Sequence, residues 1–202
     1  MKLVAAVILL LLTIATARGA PATILNLKSG FVRYEASFKT LGVGGQPVSA
    51  VNRNLIGKIV VSDSGSVEGG LVVPVAGFDS NNSKRDKDVA NILEYEQHPA
   101  ISVEVLDVSA ADIASILNTE RGEVGMRVRL TAAGGSHAYD IKVSFENIGS
   151  NTIRFTTGIE ATFSDFGIPP PSLGWFFKTA RDQLYLSGDL VFGLEQEKEN
   201  RQ

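Results

Sequence analysis

Five segments of this chain alternate apolar and polar residues with a period of two, and that pattern leaves few folds open. Over 123–131, Val124, Met126, Val128 and Leu130 share one face, while Gly125, Arg127 and Arg129 share the other. Tyr139, Ile141, Val143 and Phe145 oppose Asp140, Lys142 and Ser144. Ile153, Phe155, Thr157, Ile159 and Phe163 oppose Arg154, Thr156 and Glu160. Val32, Tyr34, Ala36 and Phe38 form a fourth stripe, and Leu184, Leu186, Leu190 and Phe192 a fifth. Side chains of a strand point alternately to its two faces, so each segment has one side to bury and one to show to water. Three further segments, 55–62, 71–78 and 101–108, are apolar almost throughout and read as strands compatible with deeper burial.

Turn chemistry separates these segments. Gly134-Gly135-Ser136 and Asn147-Ile148-Gly149-Ser150-Asn151 favour tight reversals, which predicts hairpins between 130 and 139 and between 145 and 153. Two stretches change period. Val89, Ile92 and Leu93 stand at helical spacing within 86–95, with Ser83 and Asp86 spaced as a capping box. Ser109 and Asp112 repeat that signature before Ile113, Ile116 and Leu117. Both predict short helices over an end or a side of the sheet. About eight strands, each apolar on one side, can pack as a sandwich or close into a barrel. A barrel of that size either fills its interior with side chains or holds one small ligand. Periodicity alone does not choose.

The first residues bear on compartment. Lys2, the apolar run 3–14 and the small residues of 15–20 follow the order of a secretory signal peptide, with the cut expected after Gly19 and, as second choice, after Ala22. The run is shorter than the roughly 20 residues of a spanning helix, and no second apolar span follows. The expectation is a leader over 1–19, one domain over 20–202, no stable membrane span, and a periplasmic or secreted product. The chain has no cysteine, which removes thiol catalysis, disulfides and Cys-rich zinc sites. His98 and His137 are its only histidines, and neither has a carboxylate or second histidine at a ligand spacing, so no metal and no cofactor are expected. No serine lies in a Gly-x-Ser-x-Gly elbow, so no catalytic residue is nominated and the chain does not read as an enzyme. A net charge of -3 with scattered basic residues argues against a nucleic-acid partner.

Four elements recur in a fixed order along the chain. They are Ser80-Asn81-Asn82-Ser83-Lys84-Arg85-Asp86-Lys87-Asp88, then Tyr95-Glu96-Gln97-His98-Pro99-Ala100-Ile101-Ser102-Val103, then Leu130-Thr131-Ala132-Ala133-Gly134-Gly135, and finally Ser164-Asp165-Phe166-Gly167-Ile168. Together with the strand at Phe31 and Leu55-Ile56-Gly57-Lys58-Ile59, this ordered set resembles the bacterial YceI-like family over nearly all of the chain after the leader. The resemblance implies an all-β fold: an eight-stranded antiparallel lipocalin-like barrel with one or two short helices. It also implies an exported protein that sequesters or carries a long-chain amphiphile, such as a polyisoprenoid or quinone, and, as in several members, a homodimer. Phe163 stands where the family usually has a basic residue, which leaves the ligand's head group open.

On that reading the ligand-lining candidates are Tyr34, Phe38, Val128, Leu130, Ile141, Val143, Phe155, Ile159 and Leu186. Lys84 and Arg85, at the start of the first helix, are the candidates for holding a polar head group. The other reading of the same residues is structural, with Asp86 as the cap and Arg85 in a surface ion pair. Trp175, Phe176 and Phe177, after the proline run 169–171, are either a lid or an ordinary plug. The rival functional class is a filled barrel that acts through its loops without a lipid, since an occupied and a filled barrel need the same alternation.

Overall fold

The computed structural model describes residues 23–40, 43–44, 47–62, 64–170, 172–173 and 178–196. The expected leader over 1–19 and the aromatic run Trp175-Phe176-Phe177 lie outside the described residues. The chain opens with β1 (Thr23–Thr40), the two-residue β2 (Val43–Gly44), β3 (Val48–Asn52), β4 (Ile56–Val61), β5 (Val67–Pro74) and the short β6 (Phe78–Asp79). Helix α1 (Ser83–Ile92), β7 (Ala100–Val108) and helix α2 (Ala110–Asn118) follow. The second half is β8 (Arg121–Ala132), β9 (Gly135–Gly149), β10 (Thr152–Ala161), the short β11 (Ser172–Leu173) and β12 (Lys178–Gln196).

Hydrogen bonding runs β1–β4–β5–β7–β8–β9–β10–β12, and β12 pairs back onto β1 from Thr23↔Gln196 to Lys39↔Thr179. The result is a closed eight-stranded antiparallel barrel, not a sandwich, carrying two short helices. Closure satisfies the backbone of every long strand without an open edge. Beyond the end of β4, β3 takes over the flank of β1 at Val32–Ala36, and β6 pairs in turn with β3.

The predicted stripes face inward. Val124, Val128, Leu130 and Ala132 of β8 are buried, while Gly125, Arg127 and Arg129 are exposed. Arg129 donates to Glu104 of β7 at 2.6 Å across the outer surface, and Arg154 of β10 holds Asp189 of β12. The hairpin joining β8 to β9 turns on Ala133 and Gly134, both at positive φ, as a two-residue reversal with the strand twist requires. In β1 a bulge between Leu27 and Ser29 moves the inward parity, so Leu25 packs in the core and so does Ala36. Gly30, next to that bulge, has φ +145°, and a Cβ on it would lie 2.4 Å from the Asp189 carbonyl oxygen.

The three near-continuous apolar segments are not buried on both faces. Ile56 and Val72, paired across β4 and β5, are 65% and 40% exposed on the outside of the barrel. The segment 71–78 is also not one strand: β5 ends at Pro74, and Val75–Gly77 forms a single 3-10 turn. That corner is held by Asn52, which is 0% exposed and missed by the sequence pattern. Its side-chain amide donates to the Pro74 carbonyl at 2.7 Å and its oxygen accepts from the Asn54 N–H at 2.8 Å.

Candidate ligand cavity

Two apolar clusters occupy the two ends of the barrel. One gathers Ala36, Leu130, Ala132, Ala161, Phe163, Phe166 and Ile168, with Ile92 and Leu93 of the α1 region packed on it. The other gathers Leu25, Ile116 of α2, Val124, Val143, Phe145, Ile153 and Phe192. Each end is fixed by a specific polar device. At the α2 end, Asn147 of β9 donates its side-chain amide to the Ile116 and Thr119 carbonyls, which satisfies the open C-terminus of that helix. Ser109 accepts from the Asp112 N–H and caps its start, as expected.

At the α1 end, Ser164-Asp165-Phe166-Gly167-Ile168 becomes a 3-10 turn that presses Phe166 and Ile168 into the barrel. Asp165 organises this plug. It accepts from the Tyr139 hydroxyl and from the Thr162 N–H, both at 2.7 Å, and its own N–H donates to the Thr162 hydroxyl. Burial opposes ionisation of Asp165 most, but the hydrogen bonds from Tyr139 and Thr162 and the nearby His137 together hold its carboxyl below the usual aspartate range. Tyr139 is shifted the other way, first by burial and then by its bond to the charged Asp165.

The barrel is not filled. A partly open cavity of about 1290 Å³, lined by members of both clusters and by the strands between them, runs through it, and its wall is mostly aliphatic and aromatic. Of the nine sequence-predicted lining residues, Tyr34, Val128, Leu130, Ile141, Val143, Phe155, Ile159 and Leu186 stand on that wall. Phe38 lies in β1 opposite Ala180, past a second register shift, and its side chain lies outside the described residues. The pattern missed the β4, β5 and β7 contribution: Ile59, Leu71, Val73, Ile101, Val103 and Val105 also line the cavity. Their segments were legible as strands, but continuous apolar runs hide which parity points in.

Charge enters the wall almost entirely from α1. Lys84, Arg85, Asp88 and the neighbouring Glu94 line the cavity, with Arg33 of β1 the other charged residue there. The capping box expected at Ser83 and Asp86 is corrected by one position. Asn82 is the cap and accepts from the Arg85 N–H, because its short amide reaches the first turn from an extended backbone. Asp86 instead accepts from the Ser80 N–H and hydroxyl, and so ties the preceding loop to the helix. Among the described residues neither Lys84 nor Arg85 is in an ion pair.

Tyr34 is one of the few polar residues on the wall of the barrel proper, with Arg33, Thr157 and Ser187. Its ring meets Phe78 edge-on with centroids 5.4 Å apart. Its hydroxyl is buried and has no hydrogen-bond partner among the described residues. Burial, and then the negative charge of Asp86, push its pKa up to about 12, with Arg85 pulling in the opposite direction. The histidines stand outside this cavity. His98 lies 3.9 Å from Glu94, a carboxylate neighbour the sequence spacing did not suggest, and His137 lies 3.9 Å from Asp165. No group of three or more potential metal ligands occurs among the described residues, and no helix among them is long and apolar enough to cross a membrane.

A closed antiparallel barrel holding a large, mostly apolar cavity is the architecture of the lipocalin-like class. Residues 28–192 match the model of the YceI-like domain, and the chain belongs to that family. Solved structures agree on the fold. A polyisoprenoid binding domain from Saccharophagus degradans, implicated in plant cell wall breakdown, superposes with a TM-score of 0.66 at 14% identity, over 87% of this chain and 100% of that one. Burkholderia cenocepacia BcnA gives 0.58 at 15% identity, over 79% and 95% of the two chains. A Campylobacter jejuni YceI protein gives 0.56 at 16% identity, over 80% and 90%. Among curated proteins none is a significant sequence match.

Proposed function

We propose that this chain is an exported lipid-binding protein that sequesters or carries one long apolar amphiphile in its barrel. The observation that carries this reading is the cavity. Its volume of about 1290 Å³ exceeds the roughly 300–1,000 Å³ of an ordinary small-molecule pocket. A wall of Val, Leu, Ile and Phe side chains suits a flexible hydrocarbon, since each CH₂ removed from water contributes about 0.8 kcal/mol. A chain of a dozen or more carbons then binds well with few polar contacts. The role is binding, not catalysis, in keeping with a wall that is mostly hydrocarbon. A polyisoprenoid or isoprenoid quinone is the proposed ligand class, supported by the Saccharophagus degradans neighbour, which is a polyisoprenoid binding domain. Tyr34, Val128, Leu130, Ile141, Val143, Phe155, Ile159 and Leu186 are proposed to hold the chain, with Lys84 and Arg85 near its head group.

Export through a cleaved leader over 1–19, to the periplasm or outside the cell, belongs to the same proposal, as does assembly into a homodimer. N-terminal sequencing of exported material and sedimentation equilibrium test those two parts. The central test is native mass spectrometry of freshly purified protein, followed by organic extraction. A bound lipid mass that leaves on extraction, and a thermal upshift when isoprenoids or quinones are added back, are the expected results. Protein free of lipid that shifts with none of a broad panel of isoprenoids, quinones and fatty acids would return the barrel to the loop-acting class.

A further inference from the structure

A buried hydroxyl without a partner costs free energy that a folded protein rarely leaves uncompensated. The Tyr34 oxygen is such an atom, and the surroundings of Tyr34 are specific. The side chain belongs to the cavity wall, in β1, between an aromatic neighbour and the first turns of α1. The charged groups that act on it are Asp86 and Arg85 of that helix. Asp86 is already committed to Ser80 through two hydrogen bonds, so it is not the missing partner. A phenylalanine would fill the same place and pack on Phe78 equally well, without the unsatisfied oxygen.

We propose that the Tyr34 hydroxyl is the head-group donor of the cavity, and that it hydrogen-bonds a neutral oxygen, such as a carbonyl, at the polar end of the bound chain. This rests on the cavity being a lipid site and adds the chemistry of the ligand's end. Three observations support a neutral acceptor. The phenol keeps its proton far above neutral pH, so it acts as a donor. Of the charged residues on the wall, Lys84 and Arg85 stand against Asp88 and Glu94, and Arg33 lies 3.5 Å from Glu35, so little net positive field gathers a diphosphate there. At the hydroxyl the negative charge of Asp86 outweighs the positive charge of Arg85, which disfavours an anion there. The oxygen is shielded in this conformation, so a head group reaches it only when neighbouring side chains move aside, and the adjoining α1 has no fully buried residue to hold them in place.

The test compares wild type with Tyr34→Phe against three isoprenoid probes in a fluorescent-dye displacement assay. The probes are geranylgeranylacetone, a ketone; squalene, a hydrocarbon; and geranylgeranyl diphosphate, an anion. The variant is expected to bind the ketone about tenfold more weakly and squalene unchanged, the size of one lost hydrogen bond. The melting temperature of the lipid-free variant is expected to equal or exceed that of wild type, since the hydroxyl has no partner to lose. Equal ketone affinity in both proteins, or a lowered melting temperature in the variant, overturns the inference and leaves the lipid-cavity reading intact. Tightest binding of the diphosphate, lost in Arg85→Ala but not in Tyr34→Phe, also overturns it. Failure of all three probes to bind wild type removes the cavity reading and this inference together.

Discussion

Ile153 and Ile159 lie six residues apart on β10, so both point into the barrel, yet their truncation is expected to have very different costs. Ile153 is 0% exposed and sits among Phe145, Val143 and Phe192 in the cluster at the α2 end. Ile159, opposite Leu186, stands on the cavity wall. Removing buried methyl groups costs their transfer free energy plus a term for the new void, about 2–5 kcal/mol for Ile→Ala. At Ile153 close neighbours cannot collapse into the gap, which places Ile153→Ala near about 4 kcal/mol. At Ile159 part of the side chain already faces open space, so those atoms have few contacts to lose. Ile159→Ala is expected to cost about 1–2 kcal/mol. At about 3 °C per kcal/mol for a domain of this size, the melting temperatures fall by about 12 °C and about 4 °C. Binding should rank the other way: Ile159→Ala weakens a long-chain probe several-fold, while Ile153→Ala leaves affinity near wild type under folding conditions. Differential scanning calorimetry and dye displacement on the two variants measure both. Equal stability losses, or an unchanged affinity in Ile159→Ala, would refute the division of the interior into packed ends and an open middle.

Three other outcomes follow from the same geometry. Val128→Arg puts a charge on a wall residue that is 2% exposed, so urea unfolding should show a loss of several kcal/mol; Arg129→Glu, which faces Glu104 on the outside, should cost about 1 kcal/mol. Asp165 has a lowered pKa in the fold, so its contribution is complete above the ordinary aspartate pKa of about 4 and is lost as pH falls through the lower folded value. Asp165→Asn should therefore flatten the acid limb of the stability profile, and an unchanged limb would remove Asp165 as the organiser of the plug. Tyr34 has a raised pKa, so its contribution is present below the ordinary tyrosine value of about 10 and is lost as pH rises through about 12. Ultraviolet titration should accordingly show a late phenolate step that shrinks in Tyr34→Phe.

Much of the fold was legible because it is written in local pattern. The stripes on β8, β9, β10 and β12 name the inward residues directly, and the glycine turns place their hairpins. What failed was legible only in part, for physical reasons. A continuous apolar run carries no parity, so the sequence of β4 and β5 allowed deeper burial but did not show that Ile56 and Val72 face out. The 3-10 turn at Val75–Gly77 depends on Asn52, more than twenty residues away, reaching the Pro74 carbonyl. Asn82, Ser83 and Asp86 are all competent caps by residue type. Only the path of the preceding loop, which Ser80 fixes by donating to Asp86, decides among them.

The cavity itself belongs to a different order of information. Alternation says which face of a strand is inside, but not how much room is inside. That room is set by how many strands close the barrel and by the stagger of their register, weighed against the summed volume of the inward side chains. Here the stagger comes from pairings between residues far apart in sequence: β1 to β12 from Thr23↔Gln196 to Lys39↔Thr179, with shifts at Leu27/Ser29 and Ala36/Phe38. The inward side chains along the barrel, Val128, Ile141 and Ile159 among them, do not fill it. The larger Phe145 and Phe192 gather at the α2 end, and Phe163 and Phe166 at the other. A barrel packed this way keeps much of its stability in the two clusters, Ile153 and Phe145 at one end and Ala161 and Phe166 at the other. Its centre is left open to a chain-like guest, and enlarging wall residues should narrow the cavity where the guest lies. Ile159→Phe combined with Val128→Leu is the direct form of that argument. A long-chain probe bound several-fold more weakly, with a stability loss of no more than about 1–3 kcal/mol at the buried Val128, is the expected result, and unchanged affinity would mean that the guest lies elsewhere.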